Sequence, residues 1–597
     1  MIDRITRLRW RRRFRRRKRQ VEDIGQNAGF AAERHFFKRL EKLWQVRRFV
    51  AMWVLLLVLL SGGVIFQNQR LSGYYKQLQP VGGGTYTEGV LGSFTNANPL
   101  YATGRVDGAV ARLVFAGLFY FDENNQLAGN LAEKYEVNAR GTVYTVTLRN
   151  GLLWQDGRPL TAEDVAFTYR VIQNPDAKSP LAASWKDIDV KAVDDVTVTF
   201  TLPNALSAFP YSMINGIVPK HILADIPMPQ LRTADFNTIS PVGAGPFMLE
   251  IIEVSGATQA ERRQTIALAP NERYHLGRPQ LNRFVLRTFI DEKTLLDSFR
   301  DQELDGVAGL ETIPEEFRET RDVQTYNVPL TSAVYTFFNT SQPILKDTAV
   351  RRALVRAIDT VAVTRSLNYP VISVRSPLLK DQIGYNPKLI QYSHNIKAAN
   401  KLLDKSGWKR TGSGARQKDG KTLGFTLTSE DTSEYRQIAD ALREQWQALG
   451  IRVEVVLLSD SELQTTLGAH SYDALLYGVA LGVDPDAFAY WHSTQADPRS
   501  LSRLNFSEYE SSVADSALEA GRTRTDPALR AIKYEPFLKA WRDDAPALGL
   551  YQPRFLYITR GQVFGFSPNI YNSGLDRYKN VHNWQIRQEK ANKETTE

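Results

Sequence analysis

An uncharged run of 18 residues, Phe49 to Phe66 (FVAMWVLLLVLLSGGVIF), constrains this chain more than any other feature. As a helix it is roughly 27 Å long, close to the thickness of a bilayer core. Arg47 and Arg48 flank its entrance, and Arg11-Arg12-Arg13-Phe14-Arg15-Arg16-Arg17-Lys18-Arg19 precedes it. Cytoplasmic flanks of membrane helices are enriched in Lys and Arg, so the N-terminal side is expected inside the cell and everything after about residue 70 outside. A cleaved secretory signal is the competing reading, and Ser61-Gly62-Gly63 leaves cleavage open. Such signals have shorter apolar cores nearer the N-terminus. The chain therefore reads as a single-pass cell-membrane protein with a large extracytoplasmic module.

Charge is divided in the same way. Residues 1–48 carry 17 Lys/Arg against 5 Asp/Glu, and the remainder of the +10 chain is close to neutral. The basic arm fits a topology signal that touches anionic lipid; nucleic-acid binding is the alternative. There are no cysteines, which excludes disulfides, thiolate metal sites, a cysteine nucleophile and a lipidated cysteine. The seven histidines are scattered, without HExxH or any paired-ligand spacing, and no G-x-S-x-G elbow or Walker loop occurs. The expectation is a protein that is not an enzyme and has neither cofactor nor metal.

Residues 1–48 read as a basic cytoplasmic arm, with helical apolar spacing over Phe30–Phe49, and 67–83 as a polar linker ending at Gly82-Gly83-Gly84. Beyond it short β-rich runs alternate with amphipathic ones. Tyr144–Leu148 and Asp194–Leu202 alternate as strands do. Thr161 is placed to cap a helix with Asp164 at its third position. Thr348–Ile358 and Ile438–Leu449 read as helices and Ile451–Leu457 as a strand. Residues 586–597 read as a polar tail.

Seven segments in order carry a family resemblance. They are Tyr144–Tyr169 (YTVTLRNGLLWQDGRPLTAEDVAFTY), Ser240–Phe247 (SPVGAGPF), Asn271–Pro279 (NERYHLGRP), Phe299–Asp305 (FRDQELD), Phe338-Asn339-Thr340, Val350–Asp359 and Leu402–Trp408. Over roughly 84–585 the chain resembles the extracytoplasmic solute-binding proteins of ABC transporters, in the large class that binds di- and oligopeptides (family 5). Gln302 stands where that pattern usually has glycine. The resemblance implies an α/β, two-lobed periplasmic-binding-protein fold of type II (class C) with an inserted extra domain. Lobe one would comprise 84–121, 240–335 and 548–585, the inserted domain 122–239, and lobe two 336–547. Ser240–Phe247 would be a crossing between lobes. Function would be delivery of a peptide or peptide-like solute to an ABC permease by cleft closure; the alternative is a tethered sensor or scaffold.

In the family the ligand lies as an extended strand between the lobes, and a buried aspartate meets its ammonium. The matching position here is Leu481, so that carboxylate is missing; Asp484 or Asp486 would substitute only by a shifted register, and helix capping by Asp484 is the ordinary alternative. The resemblance places Gly104, Arg105, Val106 and Asp107 of lobe one and Tyr477, Gly478, Val479, Ala480 and Leu481 of lobe two against the ligand. Tyr335, Phe337 and Trp491 are expected pocket walls, with core packing as the alternative for each.

Overall fold

The structure is a computed structural model that describes residues 47–592, apart from 257, 259–261, 368, 413, 501 and 502. The arm at 1–46, and most of the amphipathic reading over Phe30–Phe49, lie outside the described residues. The described chain falls into two units, one built on the apolar helix and the other spanning Pro80–Arg587.

In the first unit the helix Arg47–Tyr75 contains a stretch, Arg48–Gln67, of mean hydropathy 2.6 that is long and apolar enough to cross a membrane. Its large apolar side chains from Phe49 to Phe66 are exposed, apart from the partly covered Val50. The expected linker at 67–83 is corrected: the helix runs on to Tyr75 because no proline stops it before Pro80. The strand Lys76–Val81 follows and pairs with Arg587–Asn592, so part of the expected polar tail is also a strand.

The second unit holds two large mixed sheets. The first runs in the order Val323–Pro329, Arg554–Arg560, Gly306–Ala308, Thr85–Leu91, Arg283–Phe289, Arg263–Pro270, Phe247–Ser255. The second runs Ile372–Ser373, Ala547–Gln552, Ser332–Phe338, Ala474–Ala480, Gly424–Glu430, Arg452–Leu458. The chain passes between them twice, from Pro329 to Ser332 and from Gln552 to Arg554, a few residues from the expected boundaries. Each buried apolar cluster belongs wholly to one side of these crossings. The molecule is thus two-lobed, as the sequence implies.

A smaller antiparallel sheet, Ala132–Val137, Val143–Leu148, Thr197–Thr201 and Asp189–Ala192, forms the inserted domain and shares its core with lobe one. Thr161 caps the helix Ala162–Gln173 with Asp164 in a reciprocal capping box, and Trp154 Nε1 donates to the same carboxylate (3.3 Å). Ser240–Phe247 is not a crossing, which corrects the expectation. It joins the insert to lobe one, and its glycines are there for close approach: a Cβ at Gly243 would lie 1.9 Å from the Val114 carbonyl oxygen. Gly245 N–H donates to that same carbonyl (2.8 Å).

Lobe one is tied together by a buried charge cluster. Glu88, on a central strand, accepts from Arg577 Nη2 (2.6 Å) and Tyr557 Oη (2.9 Å), and Tyr578 also donates to it. Removing one member of a buried pair leaves an uncompensated charge, at a cost of about 3–5 kcal/mol. Arg577→Met is therefore expected to destabilise lobe one by that amount, read as a lowered thermal midpoint. Gln302 ends its helix in the left-handed region (φ +63°), which explains the usual glycine there. Gln302→Gly is expected to stabilise by up to about 1 kcal/mol in the same assay.

Candidate functional site

A crevice of about 660 Å³ lies between the lobes beside the crossings. Glu311, Arg318 and Asn327 line it from lobe one, and Tyr369, Ser433 and Gln437 from lobe two. The walls are carried by the helices Glu315–Glu319 and Ser433–Ala448. The latter is capped by Thr432, whose hydroxyl accepts from Tyr435 N–H (3.2 Å).

The lobe-one positions gather at the start of the helix Arg105–Val114. Gly104, Arg105, Val106 and Asp107 line a single hollow, where Gly104 and Arg105 are exposed and Val106 is buried. Asp107 is already used. Its carboxylate accepts from Thr95 N–H (2.7 Å), Thr95 Oγ1 (2.6 Å) and Asn96 N–H (3.1 Å), which pins the preceding loop rather than offering a free charge.

In lobe two, Ala474–Ala480 pairs along its whole length with Ser332–Phe338 but with Gly424–Glu430 only as far as Leu476. Among the described residues, the Tyr477–Ala480 half has no strand on that second edge. Two tyrosines reach it instead. Tyr490 Oη donates to the Ala480 carbonyl (2.7 Å), and the Tyr435 hydroxyl lies against Gly478. A Cβ on Gly478 would sit 2.8 Å from that hydroxyl, so any larger residue there would displace it. Tyr477, Gly478 and Ala480 are at least partly exposed, whereas Val479 and Leu481 are buried. Leu481 and Gly482 both donate backbone N–H to the Thr331 carbonyl at the crossing (3.0 and 3.1 Å).

The remaining expected positions have other roles. Tyr335, Phe337 and Trp491 are fully buried in the lobe-two core, packed ring against ring, with Tyr335 Oη donating to Ser376 (2.9 Å). Asp484 forms a two-pronged pair with Arg530, the side chains 6% and 3% exposed. Asp486 pairs with Arg522 (2.7 Å). Asp484 is thus committed to Arg530 and does not cap a helix, and Asp486 binds Arg522 through one oxygen while its Oδ1 is buried without a partner. Asp484 instead faces the inserted domain, where burial chiefly, and then its charge among others, raise the Tyr135, Tyr144 and Tyr211 hydroxyls, Tyr144 to about 12. Nearby, Ser207 N–H donates to the Arg522 carbonyl (2.9 Å), a direct contact between insert and lobe two.

Glu430 is a further candidate, one that sequence reasoning did not name. Burial holds its carboxyl above the usual glutamate range; Asp460 pushes the same way, Arg105 opposes it from lobe one, and Glu311 adds to the rise. It also acts on Tyr477, whose hydroxyl is raised by burial first and by Glu430 and Asp460 next. A signal for it existed. Glu430 ends a strand that pairs parallel with both its neighbours, and open α/β sheets bind ligands beyond the carboxyl ends of such strands. The arrangement is a half-buried acidic group beside an unpaired strand edge, suited to a cation carried on an extended chain.

Comparison with known proteins agrees with this architecture. The family model for bacterial extracellular solute-binding proteins, family 5 (middle), matches residues 126–521. Protein XP55 of Streptomyces lividans is 30% identical over 470 residues, 76% of this chain and 82% of its own. The oligopeptide-binding protein AppA of Bacillus subtilis is 26% identical over 518 residues, 85% of this chain and 92% of its own. The AppA structure in complex with a nonapeptide superposes with a TM-score of 0.68, covering 85% of this chain and all (100%) of that one at 25% identity. NikZ from Campylobacter jejuni, in complex with Ni(L-His), gives a TM-score of 0.71 at 25% identity over 84% of this chain and 99% of that one. Two lobes joined by paired crossings, an insert fused to the first, and a match over two-thirds of the sequence make this chain a member of the bacterial extracellular solute-binding proteins, family 5.

Proposed function

We propose that the chain is a membrane-tethered receptor that captures a peptide or peptide-like solute outside the cytoplasm and passes it to an ABC import permease. Binding is non-enzymatic and works by closure of the two lobes on the ligand. The observation that carries this reading is the Tyr477–Ala480 half of its strand, which among the described residues has no strand on its second edge, with Glu430 at the end of the neighbouring strand. An extended peptide added to such an edge gains backbone hydrogen bonds with little sequence preference. The hydroxyls of Tyr435 and Tyr490 hold the places those peptide groups would take. The nonapeptide bound to AppA supports the ligand class. The Ni(L-His) bound to NikZ shows that the same fold also serves a smaller ligand.

Glu430 would meet the ligand's ammonium in place of the aspartate replaced by Leu481. An ammonium taken from water without a partner costs several kcal/mol. Glu430, crowded by Asp460 and Glu311, gains from the same contact because the incoming cation relieves their repulsion. The apolar helix would hold the module at the membrane with residues 1–48 inside the cell, and tethering would keep the loaded receptor at a high local concentration near the permease.

The Glu430 assignment has a pH signature. In the free protein its pKa lies above the ordinary 4.5, and a bound cation lowers it, so binding releases a proton. Affinity for tetra-alanine, read by isothermal titration, should rise with pH from about 4.5 and flatten once Glu430 is ionised. Glu430→Gln should weaken binding at least about tenfold at neutral pH, equivalent to about 1.4 kcal/mol, and abolish the slope. N-acetyl-tetra-alanine should be insensitive to the substitution. An unchanged Kd for the free-amine peptide would remove Glu430 from the site.

A further inference from the structure

A second cavity, of about 340 Å³, lies at the junction of lobe one and the inserted domain. Among the described residues its lining comes from lobe one and the insert alone, apart from the interlobe crevice. Its size is at the lower end for small-molecule sites. Phe115, Tyr120, Trp185 and Tyr274 supply an aromatic wall, and Trp185 is held by stacking on Tyr169 at 3.9 Å.

Two polar groups in this wall have no hydrogen-bond partner. Asn130 is 8% exposed and its Oδ1 accepts nothing, although its backbone is fully engaged, N–H to Leu118 (2.9 Å) and carbonyl from Arg149 Nε (2.7 Å). The Lys579 ammonium is likewise buried without an acceptor and lies 5.3 Å from the Tyr571 ring. The carboxylates around it are committed elsewhere. Asp576 takes Asn572 N–H (2.7 Å) and faces Arg112 (3.5 Å), and Glu123 takes Asn580 Nδ2 (3.0 Å). Buried polar groups are ordinarily satisfied, and one left over calls for an occupant.

The needs are complementary: an acceptor for Lys579, a donor for Asn130, and an apolar body between aromatic rings. The charges are nearly balanced, Arg112 and Lys579 against Asp576, Glu123 and the nearby Asp122, which favours a ligand of zero net charge. From this we infer that the cavity binds a free α-amino acid with an apolar or aromatic side chain, its carboxylate on Lys579 and its ammonium on Asn130.

The test is isothermal titration of the full chain in detergent micelles with L-phenylalanine. One-site binding is expected, at least tenfold weaker in Lys579→Met and in Asn130→Leu, and retained in Asn130→Asp, which keeps an acceptor. Phenylpropionate, without the ammonium, and phenethylamine, without the carboxylate, should each bind at least tenfold more weakly. Lys579→Met should not lower the melting temperature, because it removes an unpartnered buried charge; this separates lost binding from lost folding. Glu430→Gln should leave phenylalanine binding within twofold while weakening tetra-alanine, so the two sites fail independently. No binding of phenylalanine, binding indifferent to Lys579→Met, or binding lost with Glu430→Gln would each overturn the inference.

Discussion

The molecule is organised by the two places where its backbone leaves one sheet and enters the other. Val323–Pro329 and Arg554–Arg560 are neighbours in the first sheet, and Ser332–Phe338 and Ala547–Gln552 are neighbours in the second. The crossings therefore form a two-stranded ribbon shared by both lobes. At its narrow point Leu330 N–H donates to the Pro553 carbonyl (3.0 Å), and the Thr331 carbonyl receives both Leu481 and Gly482. Among the described residues no buried apolar cluster spans the crossings, so the proposed change in lobe angle would need no core to be repacked. A ligand then shifts that angle only by the difference in its affinity for the open and closed arrangements.

Charges on the two lobes act on one another across the interlobe gap. Glu430 and Asp460 come from lobe two, Arg105 and Glu311 from lobe one, and they influence one another across the gap. Two other acids on the lobe-two side, Asp484 and Asp486, are neutralised by Arg530 and Arg522. Fixed pairing and free charge are thereby separated: the arginine-bound aspartates lie toward the insert, and Glu430, without an ion pair among the described residues, is the acid the proposal assigns to the ligand.

Much of the scaffold was legible in the sequence because it depends on local rules. The Thr161/Asp164 capping box, the two alternating strands of the insert, and the helix at 348 follow from capping chemistry and periodicity. Gln302 stands where the family pattern has glycine, and the structure supplies the reason in its left-handed backbone. What failed depends on long-range packing. The glycines of Ser240–Phe247 signal closeness to Val114, which no local pattern distinguishes from a hinge. An aromatic such as Trp491 has the same sequence signature in a core as in a pocket wall. Asp484 reads as a cap until Arg530, distant in sequence, is seen beside it. Glu430 drew no attention in the sequence because its proposed role comes from where its strand outlasts the pairing with its neighbour.

The central claim is that the two lobes close on an extended ligand by rotating about the shared ribbon. The absence of cysteine makes a direct test available. Glu319 and Glu444 lie on the helices that carry the opposing walls. Spin labels on cysteines placed at these two positions report the interlobe distance by double electron–electron resonance. With saturating tetra-alanine the distance distribution should shorten and narrow. A distribution unchanged by peptide that is demonstrably bound would contradict the account.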